Sequence, residues 1–272
     1  MENNNISACL VVRNEGKIIR RCLESLKGAA DEIILVHDGE VLDNTLDVAQ
    51  EFGARIFIRP FIGEAEPHRP FSFREATGKW ILQIDADEFL SSELKRKIKS
   101  LTHNTDISAY RFVWPYWNGE KYLTSVWPHK LALFRKEKIS MLGVPHFIPV
   151  IDGRVKKAGL RLEHQPAYNN FTWNNFNDKW IRWAKIQAGY YLRDIEQIEK
   201  FGRIDRRRLI SIRLRVKFPL VMLPIDFILT FSREIVKKNF FSRLKNIKII
   251  FFQGAYRAMV DYYLWKKDFL KE

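Results

Sequence analysis

The chain is poor in sulfur, in acidic residues and in long apolar runs. Of its 272 residues only Cys9 and Cys22 are cysteines. Two thiols cannot frame a disulfide-stapled scaffold or a four-cysteine zinc site. Both lie in apolar-periodic segments, so they read as reduced packing residues of a cytosolic protein. No G-x-G-x-x-G follows the first apolar strand and no P-loop motif occurs, which disfavours a dinucleotide-dependent dehydrogenase and a P-loop NTPase. Met1 to Asn5 is short and polar, and strand-like residues follow at once, so no secretory signal is expected. No internal repeat or low-complexity tract is visible. One apolar stretch, Phe218 to Phe231, is interrupted by Pro219, Pro224 and Asp226. It falls short of the roughly 20 residues that a bilayer-crossing helix needs.

Acids are outnumbered, 32 against 46 Lys and Arg, for a formal net charge of +14. The imbalance is local: residues 201 to 272 hold 17 basic and 6 acidic residues, so +11 of the +14 sits there. Such a segment could meet nucleic acid or an anionic membrane. Its Lys and Arg form no recognisable nucleic-acid motif, and they are interleaved with Phe, Leu, Ile, Tyr and Trp, which favours the membrane. Ile247 to Leu264, broken by Lys248, Gln253, Arg257 and Asp261, reads as an amphipathic interfacial helix. The competing reading is a helical pair packed on the rest of the protein. Arg203 to Arg208 reads as a basic hinge.

What the chain does have is an apolar content of 46%, enough for a packed core, and a regular alternation of strands and helices. Ile6–Val12 reads as a buried strand, and Ile18, Ile19, Cys22, Leu23 and Leu26 recur at helical spacing. Glu32–Val36 is a second strand. Asp43-Asn44-Thr45 can cap a second helix, Ala54–Ile58 is a third strand, a helix is expected around Phe73–Thr77, and Trp80–Ile84 is a fourth strand. This alternation predicts βαβ units and a parallel sheet. Ligands of such sheets bind beyond the carboxyl ends of the strands, and three polar clusters, Asn14-Glu15, His37-Asp38 and Asp85-Ala86-Asp87-Glu88, lie at such ends. The last is the most informative. Near-adjacent carboxylates at a sheet rim suit Mg2+ or Mn2+ carrying substrate phosphates. The plainer reading is a solvated turn into a helix beginning near Ser91-Ser92-Glu93, where acids favour the helix start.

Tyr110 to Phe134 is aromatic and irregular. It suits either an antiparallel addition to the sheet or an aromatic wall for a sugar or lipid acceptor. Short strands are expected at Leu131–Phe134, around Val150–Gly153 and at Leu160–Leu162, and Phe171–Lys200 reads as helical.

Five stretches, ISACLVVRNE (6–15), RCLESL (21–26), DEIILV (31–36), DNTLDVA (43–49) and ATGKWILQIDADE (76–88), resemble glycosyltransferase family 2. The lipopolysaccharide-core β-1,4-glucosyltransferase-like members are the nearest subgroup. The resemblance is strong over residues 6–90 and continues more weakly through KLALFRK (130–136), Pro145-His146, Asp152-Gly153 and LRLEH (160–164). It implies a GT-A nucleotide-diphospho-sugar transferase fold with a mostly parallel sheet over residues 1–200, and a basic, helical, membrane-associated extension over 201–272. It also implies inverting transfer from a nucleotide-sugar donor, a UDP-sugar first, with Mg2+ or Mn2+, to a glycan or glycolipid acceptor at the cytoplasmic face of the cell membrane. No nucleic-acid partner is implied.

Position by position, Asp85 and Asp87 occupy the DXD sites. Asp85 would touch ribose or metal, and Asp87 would ligate the metal bridging the diphosphate. Asn14 and Glu15 stand where the family contacts the nucleoside, Asp38 where base or ribose is held, and Arg69 where a basic residue meets the diphosphate. His164 matches a late histidine that ligates metal or positions phosphate. Transfer also requires a base for the acceptor hydroxyl, for which Glu88, His146 and Asp152 are the candidates. Three departures stand out: His37-Asp38-Gly39 replaces an Asp-Asp-Gly or Asp-Ser-Gly, Pro70 replaces a common Asn, and His146-Phe147 replaces His-Glu. They leave open a protein of the same fold that binds nucleotide sugars without turning them over.

Overall fold

The structure, a computed structural model, describes residues 4–122, 127–144, 149–169, 171–193, 206–236 and 247–267. The chain divides into two compact units, one holding the strands as far as His164, the other the helices from Tyr168 onward.

The first unit is α/β. Its strands are β1 (Ile6–Val12), β2 (Glu32–Asp38), β3 (Arg55–Arg59), β4 (Trp80–Gln83), β5 (Glu88–Leu90), β6 (Ala109–Val113), β7 (His129–Arg135) and β10 (Val155–His164), with a small hairpin of β8 (Ile139–Ser140) and β9 (Val150–Ile151). The eight-stranded sheet runs β3-β2-β1-β4-β7-β6-β10-β5. β1, β2, β3 and β4 are parallel, β7 runs against both β4 and β6, and β10 lies parallel to β6. β1 reads as a continuous apolar run because both its faces are covered. Its alternate residues Ile6, Ala8, Leu10 and Val12 join helix α1 (Ile19–Leu26), helix α2 (Thr45–Glu51) and helix α4 (Ser92–Leu101) in one core layer. Cys9, between them in register, joins Ile34, Ile81, Phe134 and Phe73 of helix α3 (Arg69–Glu75) on the other face.

Both cysteines are buried and unpaired by disulfide, and burial pushes both thiols up. That suppresses the reactive thiolate, as packing residues require. Helix α3 begins at Arg69, earlier than the periodicity predicts, because Pro70 sits in its first turn, where its missing N–H costs nothing. Ser91 caps α4 by accepting from Leu94 N at 3.2 Å.

The topology sets up the site. Strands β1, β2, β4, β6 and β10 all end at one edge of the sheet, and the antiparallel β7 begins there. Asn14, Asp38, Asp85, Trp114, Lys130 and His164 are therefore delivered to the same rim. The three-residue β5 has no counterpart in the sequence reading. It folds the chain after Asp87 back against the end of β10, pairing Glu88 with His164 and Leu90 with Leu162.

The second unit is helical. A run from Trp173 to Arg193 contains a wide π turn at Phe176–Trp180, and helices span Arg206–Lys217, Pro219–Val236 and Ile247–Lys266. Trp173, Phe176 and Trp180 pack around Phe252 with ring centroids 5.0–5.9 Å apart. Tyr256 donates to Gln187 at 2.7 Å, tying Ile181–Arg193 to Ile247–Lys266. The apolar run that carries Pro219 and Pro224 is one helix, with Pro219 at its first position. Among the described residues no helix is long and apolar enough to cross a membrane.

Candidate active site

Two carboxylates separated by one residue have different surroundings. Asp85 is clamped by cations on both oxygens: Arg69 donates to Oδ1 at 3.0 Å and Lys130 to Oδ2 at 2.6 Å. Burial opposes its ionisation, yet Lys130 and Arg69 pull its carboxyl far below the ordinary value. Lys130 also reaches both oxygens of Glu88 at 2.7 Å. Glu88 accepts further bonds from Trp114 Nε1 at 2.5 Å and from the Asp85 backbone N–H at 2.9 Å. It is fully buried; burial raises its pKa, Lys130 opposes that, and Asp85 and Asp87 add to it. Lys130 is held charged: burial alone would lower its pKa, and Asp85 and Glu88 more than offset that. Arg69 stays charged for the same reason, with Glu66 3.9 Å away on its other side.

Asp87 faces a histidine instead. Its Oδ2 lies 3.4 Å from His164 Nε2. The other ring nitrogen, Nδ1, is 3.3 Å from the Pro115 carbonyl. A carbonyl can only accept, so Nδ1 carries a proton, and in the neutral ring the Nε2 lone pair turns toward Asp87. Trp114 stacks on the imidazole with centroids 3.9 Å apart and holds its plane. Neighbouring ligands of an octahedral cation bound at about 2.1 Å lie roughly 3 Å apart, so this oxygen–nitrogen pair suits one hard divalent ion. Among the described residues no three His, Cys, Asp or Glu side chains converge on a metal site. The pair therefore fits Mg2+ or Mn2+ drawing its other ligands from phosphate and water, and not an all-protein cage.

The β1 and β2 ends form a second, braced group. Asn14 takes a left-handed backbone (φ 52°); its Oδ1 accepts from Leu42 N at 2.8 Å. His37, wholly buried, is committed to backbone: Nε2 accepts from Asn14 N at 3.2 Å and Nδ1 faces the Gly39 carbonyl at 3.1 Å. Glu15 N donates to Thr45 Oγ1 at 2.7 Å, and Gly16 N to Asp43 at 2.8 Å, locking the β1 loop to the start of α2. Asp38 is engaged with the loop after β3. Ile62 N and Gly63 N donate to its two oxygens at 2.7 and 2.8 Å, and His68 Nε2 lies 2.9 Å away. Gly39, at φ 85°, lets Phe61 pass: a Cβ there would stand 2.8 Å from the Phe61 Cβ.

Arg69, Asp85 and Glu88 thus form one block bonded through Lys130, the Asp87–His164 pair stands beside it with Trp114 touching both, and Asn14, Glu15 and Asp38 lie on the same rim. Asp152 is not brought to it. It sits past β9, its backbone N–H bonded to Lys138 O at 2.8 Å and its exposed side chain 3.6 Å from Lys138. Lys138 follows the end of β7, so this is the opposite edge of the sheet from Asp85. Glu88, the second candidate base, has both oxygens saturated by donors. His146 lies outside the described residues. The sequence reading gave no role to Lys130 or Trp114. The available signal is a lone lysine opening an otherwise apolar strand, Leu131 to Phe134, beside an aromatic segment.

The strand ends of an α/β sheet thus gather a basic clamp, a carboxylate–histidine pair and a braced loop group at one rim. The sequence matches Glycosyl transferase family 2 over residues 7–157, more than half its length, and the chain belongs to that family. An uncharacterized glycosyltransferase of Rickettsia felis is 38% identical over 103 residues, covering 37% of this chain and 36% of that relative. The chain thus matches about a third of that protein's length. The glycosyltransferase SunS of a Bacillus subtilis prophage is 30% identical over 174 residues, 63% of this chain and 37% of SunS. The mannosyltransferase PcManGT of Pyrobaculum calidifontis shares the fold, with a TM-score of 0.52 at 12% identity over 97% of this chain and 88% of that one.

Proposed function

We propose that this protein is a metal-dependent, inverting glycosyltransferase. It would move a sugar from a nucleotide-sugar donor, a UDP-sugar first, to a lipid-linked or cell-envelope glycan at the cytoplasmic face of the membrane. The observation that carries the reading is the Asp87–His164 pair set beside the Arg69–Asp85–Lys130–Glu88 block at the carboxyl edge of the sheet. PcManGT, of the same fold, was solved with GDP-Man and Mn2+, and the donor class and metal are proposed here on that likeness and on the fit of the pair. The acceptor class rests on the resemblance of the sequence to the lipopolysaccharide-core subgroup.

A bound Mg2+ or Mn2+ would supply Lewis-acid stabilisation of the departing diphosphate. The chain's own residues divide the remaining work. Asp87 and His164 would hold the ion. Arg69, oriented by Asp85 and Glu66, presents its other N–H groups to diphosphate oxygens, where charge develops as the bond to the sugar breaks. Lys130 and Glu88 fix Asp85 so that this orientation does not drift. His146 is the proposed base for the acceptor hydroxyl, since its ordinary pKa near 6.5 matches the task.

The test is calorimetry of UDP with and without Mn2+ on wild type and Asp87→Asn. Tight binding that is lost on chelation and in the variant, with unchanged circular dichroism, is expected. Equal UDP affinity with and without metal would refute the metal assignment. A second reading, a nucleotide-sugar-binding protein without turnover, is favoured by His37. It stands at the first aspartate of the family's Asp-Asp-Gly or Asp-Ser-Gly pattern, and both its nitrogens are committed to backbone. Donor hydrolysis or transfer under conditions of proven binding separates the two.

A further inference from the structure

Helix Pro219–Val236 carries apolar residues on its solvent side as well as on the side where Phe227 packs against Phe251. Leu220, Val221, Ile225, Ile228 and Leu229 lie on its solvent side, Val221 and Ile228 each 59% exposed. Positions 221, 225 and 228 recur at helical spacing, so they form one stripe. The buried side of the same helix carries Asp226, only 7% exposed. Asp226 is paired with Arg215 of helix Arg206–Lys217, and Arg215 in turn lies 3.4 Å from Asp261 of helix Ile247–Lys266. Arg215 and Asp261 are themselves 5% and 0% exposed.

In water a helix turns its apolar stripe to the core and its charges outward. Here an ion cluster bridges three helices from within while branched aliphatic side chains face out. Elements bathed in hydrocarbon show this polarity: their ionisable residues face the bundle interior and pair with one another. Among the described residues no helix is long and apolar enough to cross a bilayer. Shallow immersion in one leaflet would remove the stripe from water without a spanning helix.

The charge around the stripe selects the lipid. Exposed Arg207, Arg213 and Lys217 lie on the helix just before it, within the segment that carries +11. A second copy would bring like charge against like charge. Anionic headgroups complement it, and each basic residue near such a surface adds attraction. We infer that this helix lies in the interfacial layer of an anionic bilayer, with its Val221–Ile225–Ile228 stripe among the acyl chains and the Arg215–Asp226–Asp261 cluster holding the helices together behind it. The inference deepens the proposed membrane-surface reading by naming the face that inserts.

The experiment is co-sedimentation of the full chain with vesicles of phosphatidylcholine, alone and mixed with phosphatidylglycerol. Wild type is compared with Val221→Asp/Ile228→Asp and with the milder Val221→Ser/Ile228→Ser, all checked by circular dichroism. Both positions are exposed, so folding should survive. Wild type should bind the mixed vesicles and release in part at high salt, and the aspartate pair should lower the bound fraction about tenfold or more. Equal vesicle binding by wild type and both variants would overturn the assignment. So would a wild type that ignores vesicles but dimerises through this face, the aspartate pair becoming monomeric. UDP calorimetry on the same samples keeps the enzyme reading separate. Vesicle binding without UDP binding would sink that reading and support this one; the reverse would sink this one alone.

Discussion

Replacing Lys130 with methionine keeps most of the side chain's length and removes the charge that neutralises two carboxylates. Its ammonium makes three contacts of 2.6–2.7 Å, one to Asp85 and two to Glu88. Asp85 keeps Arg69, so the orphan is Glu88, which has no exposed surface. Breaking a buried pair by deleting one partner costs about 3–5 kcal/mol. For a domain of this size each kcal/mol shifts the melting temperature by about 2–4 °C, so a fall of about 10 °C is expected. The penalty has a direction in pH. Without Lys130 the Glu88 carboxyl, already raised above its ordinary 4.5 by burial, rises further. The folded state then binds a proton that the unfolded state does not, and stability falls as pH rises. The deficit relative to wild type should be largest at mildly alkaline pH and shrink as pH drops toward 4.5. Urea denaturation of Lys130→Met, Glu88→Gln and the double variant across that range is the assay. Glu88→Gln should flatten the pH dependence and restore part of the lost stability, because it removes the charge left unpaired. A Lys130→Met cost below about 1 kcal/mol at neutral pH, typical of a surface pair, would refute the clamp. So would a deficit that grows on acidification.

Glu32 provides a second pH test, away from the site. Ser7 Oγ donates to it at 2.5 Å, Thr77 N at 2.8 Å and Arg55 at 2.6 Å. Burial opposes its ionisation, but these donors hold its pKa below 4.5. Ionised Glu32 therefore stabilises the fold above its unfolded value, and that share is lost as pH falls through the folded one. Glu32→Gln should cost about 1–2 kcal/mol at neutral pH and progressively less below pH 4.5, followed by thermal melts; an undiminished difference in strong acid would contradict this. His146→Ala should slow transfer at saturating donor by roughly 100- to 10,000-fold while UDP affinity by calorimetry stays unchanged. A normal rate would return His146 to a packing role.

Much of the first ninety residues was legible because their determinants are local. Apolar runs, helical spacing, glycine stops and acids at strand ends read off in order, and β1, α1, β2, α2, β3 and β4 lie close to where periodicity puts them. The aromatic stretch was ambiguous for a physical reason. Its strands β6 and β7 gain order from pairing with each other and with β4, and nothing in their own spacing names those partners. β5 was invisible: three residues, Glu88–Leu90, become a strand only because the end of β10, some seventy residues onward, lies alongside. Asp152 shows the reverse failure. An acid beside a glycine in a family-like stretch looked catalytic, yet chain direction carries it to the far edge of the sheet.

By itself the sequence determined the class of protein, the rim on which its chemistry gathers, the pair Asp85-Ala86-Asp87, and a basic apolar tail. Only the tertiary structure decided what each acid of that pair meets. Two residues on one turn have the same local sequence and the same intrinsic acidity. Arg69 from α3 and Lys130 from β7 reach the first, and His164 from β10 reaches the second. Those partners arrive through strand order and register, which depend on contacts between distant segments and leave no mark in the spacing of the acids themselves. The same holds in the tail. Its composition predicted a meeting with a membrane, and only the tertiary structure pairs Arg215 with Asp226 and Asp261 behind an exposed apolar stripe.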